Sequence, residues 1–270
     1  MQFRRFEPAD APSVSALVAH TMMTTNIKDY SAKYLQADID RMTPQWFIEK
    51  AAQTHFYVGV DNDVIKACGA IGSYWGKRDE VSLFDVFVAP EVQGQGVGRQ
   101  LMGTLLNDPL AEYARRIEIP ASITAVGFYQ KFGFVGKNGL DSDEAQLVRL
   151  ERWCPFCTLS TDRIINQNEL ALAFLDRSPV APGHLLVIPK RHCHDFFALT
   201  PEELTAIQDL LQRGKAWLDQ TSHPDGYNVG FNVNAAGGQS VWHAHCHLIP
   251  RWTGDVPHAR GGIRQILGGD

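Results

Sequence analysis

Residues 238–251 read Gly-Gln-Ser-Val-Trp-His-Ala-His-Cys-His-Leu-Ile-Pro-Arg, and within them His243, His245 and His247 recur at period two. On a strand this spacing places three imidazoles on one face, with Ala244, Cys246 and Leu248 on the other. A single strand histidine is ordinarily a satisfied structural residue. Three side by side are costly to bury without partners, so the pattern points to a metal or an anion. The alternation and the Leu-Ile-Pro-Arg that follows exclude a purification tag.

Working outward, the rest of the imidazole and thiol chemistry gathers around this stretch. Only His20 and His55 of the ten histidines, and only Cys68 of the five cysteines, lie in the first half. An odd, scattered set of cysteines is not a disulfide framework. Cys154-Pro-Phe-Cys157 is a Cys-x-x-Cys pair, and zinc sites commonly combine such a pair with two later histidines. A redox role is weaker, because no thioredoxin-like βαβ pattern surrounds the pair; two reduced bystander thiols are the bland alternative.

Around these residues the pattern predicts strands over Glu169–Leu175, His184–Ile188, Tyr227–Val233 and Ala244–Ile249. Thr200-Pro-Glu-Glu203 is a capping box for a long helix whose apolar face carries Leu204, Ile207, Leu211 and Leu218. The first half alternates differently. A strand is expected over Phe3–Phe6, then a helix capped by Asp10 around Pro12–His20, and another helix carrying Phe47, Ile48 and Ala51. His55–Val60 and Val64–Ser73 form a hairpin pattern around Asp61-Asn-Asp63, Val81–Val88 continues the sheet, and Val97–Leu106 is helical. A strand near Ile117, a helix over Ala125–Lys131 and a last strand over Gln146–Leu150 follow.

Residues 88–102, Val-Ala-Pro-Glu-Val-Gln-Gly-Gln-Gly-Val-Gly-Arg-Gln-Leu-Met, run from strand through a Gly-rich turn into an apolar helix. Glycines allow close backbone approach, and unpaired amides at a helix start can cradle a diphosphate. A Rossmann reading fails because Arg99 stands where the third glycine belongs and the unit sits in mid-domain. No Gly-Lys-Ser/Thr follows for a Walker loop. A tight strand-to-helix connection is the bland reading of the glycines alone.

Two resemblances organise these observations. The C-terminal stretch resembles the histidine triad (HIT) superfamily, whose signature is His-φ-His-φ-His-φ-φ. Residues 174–192, Phe-Leu-Asp-Arg-Ser-Pro-Val-Ala-Pro-Gly-His-Leu-Leu-Val-Ile-Pro-Lys-Arg-His, follow that family's ribose-binding turn and second strand. The resemblance implies that His245 attacks an α-phosphorus to form a nucleotidyl-histidine that water then hydrolyses, as suits a neutral imidazole. It implies that His247 stabilises phosphate charge and favours hydrolysis over transfer. Asp176 would hold ribose hydroxyls, and Asn232, Gln239 and the catalytic Ser240 would contact phosphate and leaving group. It further implies a structural zinc on Cys154, Cys157, His192 and His243, with Cys193 or His194 as alternatives to His192.

Residues 88–102 resemble the pyrophosphate loop of the GNAT acetyltransferase superfamily, Gln/Arg-x-x-Gly-x-Gly/Ala, through Gln93, Gly96 and Gly98. Residues 122–134, Ser-Ile-Thr-Ala-Val-Gly-Phe-Tyr-Gln-Lys-Phe-Gly-Phe, resemble its second block, with Ser122 in place of the usual asparagine. The resemblance implies acetyl-CoA as co-substrate. Backbone groups of Val86 and Val88 would line the pantetheine arm, and Gln93 with the amides of Gly94, Gln95, Gly96, Val97, Gly98 and Arg99 would hold the pyrophosphate. Tyr129 would protonate the departing thiolate, and a small amine would be the acceptor. Asp85 alternates with Phe84 and Val86 on its strand and could face the acceptor cleft as a general base, but it reads rather as an exposed strand carboxylate, and the acceptor's base is left unassigned.

The expected architecture is α+β in two domains. Residues 1–151 would form a GNAT-type mixed central sheet flanked by helices, and residues 152–270 a HIT-type antiparallel sheet with helices; no Pro/Gly/Ser-rich linker separates them. The expected protein is a bifunctional enzyme, an N-acetyltransferase and a nucleotide hydrolase. The alternative is an active hydrolase beside an acyl-CoA sensor. The expected hydrolase partner is a purine nucleotide or nucleotide conjugate: a dinucleoside polyphosphate, phosphoramidate or aminoacyl adenylate. A net charge of -5 argues against nucleic acid. No apolar run reaches the roughly 18 residues of a membrane span, and the first residues lack a signal-peptide core, so the expected address is cytoplasmic. A homodimer is compatible with the HIT resemblance. The tail from His258 to Arg264 reads as a basic cover over phosphates or as a frayed end.

Overall fold

The computed structural model describes residues 1–73, 76–77, 79–143, 146–257 and 259–262. It divides into two compact units, one from Met1 to Trp153 and one from Cys154 onward. The expectation for the tail falls on His258 and Arg264, which lie outside the described residues.

The first unit runs β1 (Gln2–Arg5), α1 (Ala11–Thr24), α2 (Ala32–Arg41), α3 (Pro44–Gln53), β2 (His55–Asp61), β3 (Val64–Ser73) and β4 (Glu80–Val88). It continues through α4 (Val97–Leu106), α5 (Pro109–Glu112), β5 (Arg116–Ser122), α6 (Val126–Gln130), β6 (Val135–Gly136) and β7 (Leu147–Trp153). The strands form one sheet in the order β1-β2-β3-β4-β5-β7-β6. Asn62 and Asp63 both take positive φ (47° and 62°), so the β2–β3 hairpin closes as a primed turn, as its Asp-Asn-Asp sequence predicts. Thr43 caps α3 by accepting from the Trp46 amide, with Pro44 at the first helical position. Asp10 does not cap α1 with its side chain: Arg4 takes the carboxylate through two bonds of 2.7 and 2.8 Å, and the Glu7 amide donates to it as well.

Among the named strands every pairing is antiparallel except β4 with β5. That parallel ladder covers three residues, Glu80↔Arg116, Val81↔Ile117 and Ser82↔Glu118, although β4 runs on to Val88. A buried charge cluster joins the two strands at their start. Arg116 donates to Glu80 at 2.6 Å, to Glu151 at 2.9 Å and to Glu118. The core on one face of the sheet joins β3, β4 and β5 to α4 through Ile71, Leu83, Leu101, Leu105 and Ile119. On the other, Phe47, Phe56, Val58 and Ala70 pack with α1 and α3. β7 continues through Arg152 and Trp153, so the boundary expected after residue 151 falls inside a strand.

The second unit holds β8 (Ile164–Gln167), β9 (Ala171–Leu175), β10 (Leu185–Pro189), α7 (Pro201–Thr221), β11 (Gly226–Phe231) and β12 (Cys246–Arg251). Its sheet is fully antiparallel, in the order β11-β12-β10-β9-β8. The capping box at Thr200 and Glu203 forms, and Arg191 grips the Glu203 carboxylate at 2.7 and 2.8 Å. Gly214 brings α7 close to the sheet: a Cβ there would stand 3.1 Å from Leu185 and 3.2 Å from Leu248. Leu186 pairs with His247, and Leu186 packs with Leu172, Phe174, Ile188 and Phe156 on the sheet face away from α7. The site therefore lies opposite the long helix. Among the described residues no helix is long and apolar enough to cross a membrane.

Candidate functional site

The triad is not one continuous strand. β12 begins at Cys246, so only His247 sits in the ladder. Before it, the Ala244 amide donates to the Cys193 carbonyl at 2.6 Å, which ties the segment to the loop after β10. This departure from the predicted strand gives the three histidines different surroundings.

His243 is fully buried and belongs to a metal-type cluster. Its Nε2 lies 2.9 Å from the Pro189 carbonyl, which can only accept. The ring proton is therefore on Nε2, and the Nδ1 lone pair is turned to the thiols. That Nδ1 is 3.6 Å from the sulfurs of both Cys154 and Cys157, and His192 Nδ1 is 3.3 Å from Cys157. All four ligand atoms lie within 4.8 Å of one another. Hydrogen bonding from Cys157 above all, against burial, and then from the two histidines drives the Cys154 thiol down to about 2. Soft sulfur, imidazole nitrogen and thiolate character together fit a four-coordinate metal.

His245 has its Nδ1 2.7 Å from the His243 carbonyl. By the same reasoning Nδ1 carries the hydrogen and Nε2 carries a free lone pair. Burial lowers its pKa, which keeps the ring neutral. The His245 and His247 rings are 5.0 Å apart, and Phe156, from within the Cys-x-x-Cys turn, meets the rings of both His243 and His245 edge-on.

The structure adds His184, which the sequence reading quoted without a role. Its Nε2 is 2.9 Å from His247 Nδ1, while its Nδ1 receives the Val180 amide at 3.4 Å and lies 3.6 Å from an Asp176 oxygen. An accepting Nδ1 leaves the His184 proton on Nε2, donated to His247. His247 then carries its own proton on Nε2, an atom buried without a hydrogen-bond partner. Burial and the neighbouring histidines push His247 down to about 4, so its ring is neutral near pH 7. The missing signal for His184 was spatial: 63 positions separate it from His247.

The other expected nucleotide contacts divide. Asp176 receives the Ser178 amide at 2.9 Å, and Ser240 is exposed on the loop before the triad. Asn232 is half-buried next to Gly238. Gln239 is buried and spent on backbone partners: it donates to the carbonyls of His194 and Val241 and accepts from the Asn234 amide. It shapes the loop.

In the first unit, β4 is buried from Glu80 to Leu83 and only half-buried from Phe84 to Val88, where β5 no longer pairs with it. Gly94 and Gly96 take positive φ (77° and 86°), and no atom lies within 4 Å of where their Cβ atoms would be. They serve the turn, and their amides, with those of Gln95, Val97 and Arg99, open α4. Gly98 has another role: a Cβ there would meet the Phe128 ring at 3.0 Å, so the two Gly- and Phe-containing motifs touch. Gln93 closes the loop on itself by donating to the Val88 carbonyl (2.9 Å) and to Thr25 (3.2 Å). Tyr129 is 3% exposed against Phe128 and Phe134, and burial pushes its phenol up, so it stays protonated. Asp85 is not the exposed carboxylate expected: its Oδ2 is buried without a hydrogen-bond partner.

A HIT domain model matches residues 158–254, and an acetyltransferase (GNAT) domain model matches residues 24–146. An uncharacterized HIT-like protein of Mycoplasma genitalium is 42% identical over 103 residues, spanning 37% of this chain and 73% of the relative. The AP-4-A phosphorylase of Mycobacterium tuberculosis is 36% identical over 94 residues, 34% of this chain and 48% of the relative, so this chain spans about half of it. A solved structure of PaiA N-acetyltransferase from Thermoplasma acidophilum with coenzyme A is 14% identical, with a TM-score of 0.49 over 56% of this chain and 98% of that one. The chain thus belongs to the HIT family through its second unit and carries a GNAT-type acetyltransferase domain in its first.

Proposed function

We propose that the chain is a bifunctional enzyme whose second unit hydrolyses a nucleotide conjugate at its α-phosphate and whose first unit transfers an acetyl group from acetyl-CoA to an amine. The observation that carries the hydrolase reading is the His245 tautomer, set by the His243 carbonyl at 2.7 Å. It leaves Nε2 as a nucleophile next to the proton of His247. In the first step Nε2 bonds to phosphorus while the bond to the leaving group breaks. The His247 donor meets the growing negative charge on the phosphoryl oxygens, and water completes the turnover at the same phosphorus. Asp176 holds ribose, with Asn232 and Ser240 at the phosphate and leaving group; a purine dinucleoside polyphosphate suits this pocket, in line with the AP-4-A phosphorylase relative.

Cys154, Cys157, His192 and His243 would hold zinc, which when bound supplies a rigid cross-link and no reacting atom. In the first unit the amides around Gly94–Arg99 would hold the pyrophosphate and the free edge of β4 at Val86 and Val88 the pantetheine arm. Tyr129 would return a proton to the departing thiolate.

The test is turnover by purified protein. Dinucleoside tetraphosphate and adenosine phosphoramidate are assayed for nucleotide release, and acetyl-CoA with a panel of small amines is assayed for free thiol. No nucleotide released from either substrate would overturn the hydrolase reading. CoA binding with no thiol released by any amine would reduce the first unit to an acyl-CoA sensor.

A further inference from the structure

The free edge of β4 has a direction. An extended ligand added there with its anionic end at the start of α4 runs back from Val88 toward Ser82, where β5 closes the edge. Asp85 stands three residues short of that closure, about 10 Å along the strand. Its backbone is in the left-handed region at φ 52°, in a bulge where the β3–β4 register shifts between Cys68 and Ala70. A non-glycine residue held at positive φ costs of order 1 kcal/mol or more, and such strain gathers at working sites. The Cys68 thiol donates to the Asp85 carbonyl at 3.4 Å and pins the bulge.

The Asp85 Oδ2 is buried without a hydrogen-bond partner. Lys50 of α3 and Arg41 of α2 are the cations that act on it, and neither forms an ion pair with it within 4 Å among the described contacts. Lys50 instead holds its ammonium 3.6 Å from the centre of the Phe84 ring and 5.8 Å from that of Trp46. A cation already rests on this aromatic surface beside the carboxyl, the recognition chemistry a protonated amine needs.

We propose that Asp85 is the base that deprotonates the acceptor amine in the first unit, and that the Phe84–Trp46 surface beside it selects cationic acceptors. The inference rests on the acetyltransferase reading of that unit. The acceptor ammonium gives its proton to the Asp85 carboxylate. Its freed lone pair forms the C–N bond as the C–S bond breaks and the thiolate leaves with the electron pair; the thiolate takes the Tyr129 proton, and the second N–H proton, shed as the amide forms, returns to the Tyr129 oxygen. Burial raises the Asp85 carboxyl to about 6 against the pull of Lys50 and Arg41, which moves it toward a useful basicity. Cys68, the other titratable group in contact, is held protonated by burial.

The test compares wild type with Asp85→Asn and Asp85→Glu in the full chain, against acceptors of ordinary amine basicity and against hydroxylamine, which is largely unprotonated at neutral pH. The expected result is a drop of about 10²-fold in kcat for the basic amines with Asp85→Asn, and much less for hydroxylamine. Partial recovery is expected with Asp85→Glu. The rise of wild-type kcat/KM through about pH 6 should vanish in Asp85→Asn. CoA affinity and nucleotide hydrolysis, unchanged, report that the variants fold. Equal kcat and an unchanged pH profile in a folded Asp85→Asn would overturn the proposal while leaving the acetyltransferase reading intact. No transfer by wild type to any amine would overturn both.

Discussion

The backbone carbonyl of His243 accepts the Nδ1–H of His245 at 2.7 Å, so the residue whose side chain completes the metal cluster also sets the tautomer of the nucleophile. One peptide links structural and chemical parts. Anything that moves His243 moves the lone pair proposed above to attack phosphorus.

Metal content tests this link. Purified protein should carry about one zinc per chain by elemental analysis. Cys157→Ala should lose it, lower the melting temperature of the second unit by roughly 10 °C, and reduce hydrolysis by about 10–100-fold. Full activity in metal-free protein would separate the two roles.

Replacing the nucleophile gives the cleanest loss. His245→Ala should lower nucleotide hydrolysis by at least about 10³-fold while still binding nucleotide. Acid-quenched wild type should show a nucleotidyl adduct by mass spectrometry that the variant lacks.

On the proposed mechanism His184 positions His247 through the 2.9 Å contact. His184→Ala should reduce kcat by about 10–100-fold with KM little changed, because it leaves the His247 tautomer unset. Nitrogen chemical shifts of His247 should show its proton on Nε2 in wild type and a mixture in the variant.

Tyr129→Phe should slow acetyl transfer by about 10²-fold with acetyl-CoA affinity retained. Unaltered turnover in a chemistry-limited assay would assign Tyr129 to packing alone.

Glu80 gives a stability prediction with a defined sign. Burial alone would raise its carboxyl, but bonds from Arg115, Lys77 and Arg116 hold it at about 2, below the ordinary 4.5. A depressed carboxylate contributes its stability above the ordinary value and loses it as pH falls from 4.5 to about 2. At pH 7, Glu80→Gln should cost about 3 kcal/mol in urea unfolding, and the gap to wild type should close toward pH 2.

Much of this was legible in the sequence because it is local. Period-two histidines, the Cys-x-x-Cys spacing, the Gly-rich turn and the Thr200 capping box each reside in a few consecutive residues. What escaped depends on long-range geometry. His184 meets His247, a residue two strands away in the chain order, and the Gln239 side chain donates to the carbonyls of His194 and Val241. Asp85 alternated with its neighbours as a surface residue would, yet it sits at the bulge against Cys68 and Ala70 with its Oδ2 buried. α2 was missed although its sequence, Ala-Lys-Tyr-Leu-Gln-Ala-Asp-Ile-Asp-Arg, carries an apolar face: Leu35 is buried, and Tyr34 and Ile39 pack against the same core.

The three-residue ladder between β4 and β5 divides the first unit's sheet into two antiparallel ribbons, β1–β4 and β5–β7 with β6 at its edge. Within each ribbon the strands pair antiparallel, whereas the line between the ribbons has few backbone bonds and is held by the Arg116 cluster and by the core shared under α4. In terms of amide exchange the ribbons are two cooperative blocks with a hinge line at Glu80–Ser82, and protection should fall off along β4 beyond Leu83. Loosening the charge cluster would leave the core shared under α4 as the main tie between the ribbons. The width of the cleft is therefore governed from its closed end, by residues that no ligand on β4 would touch.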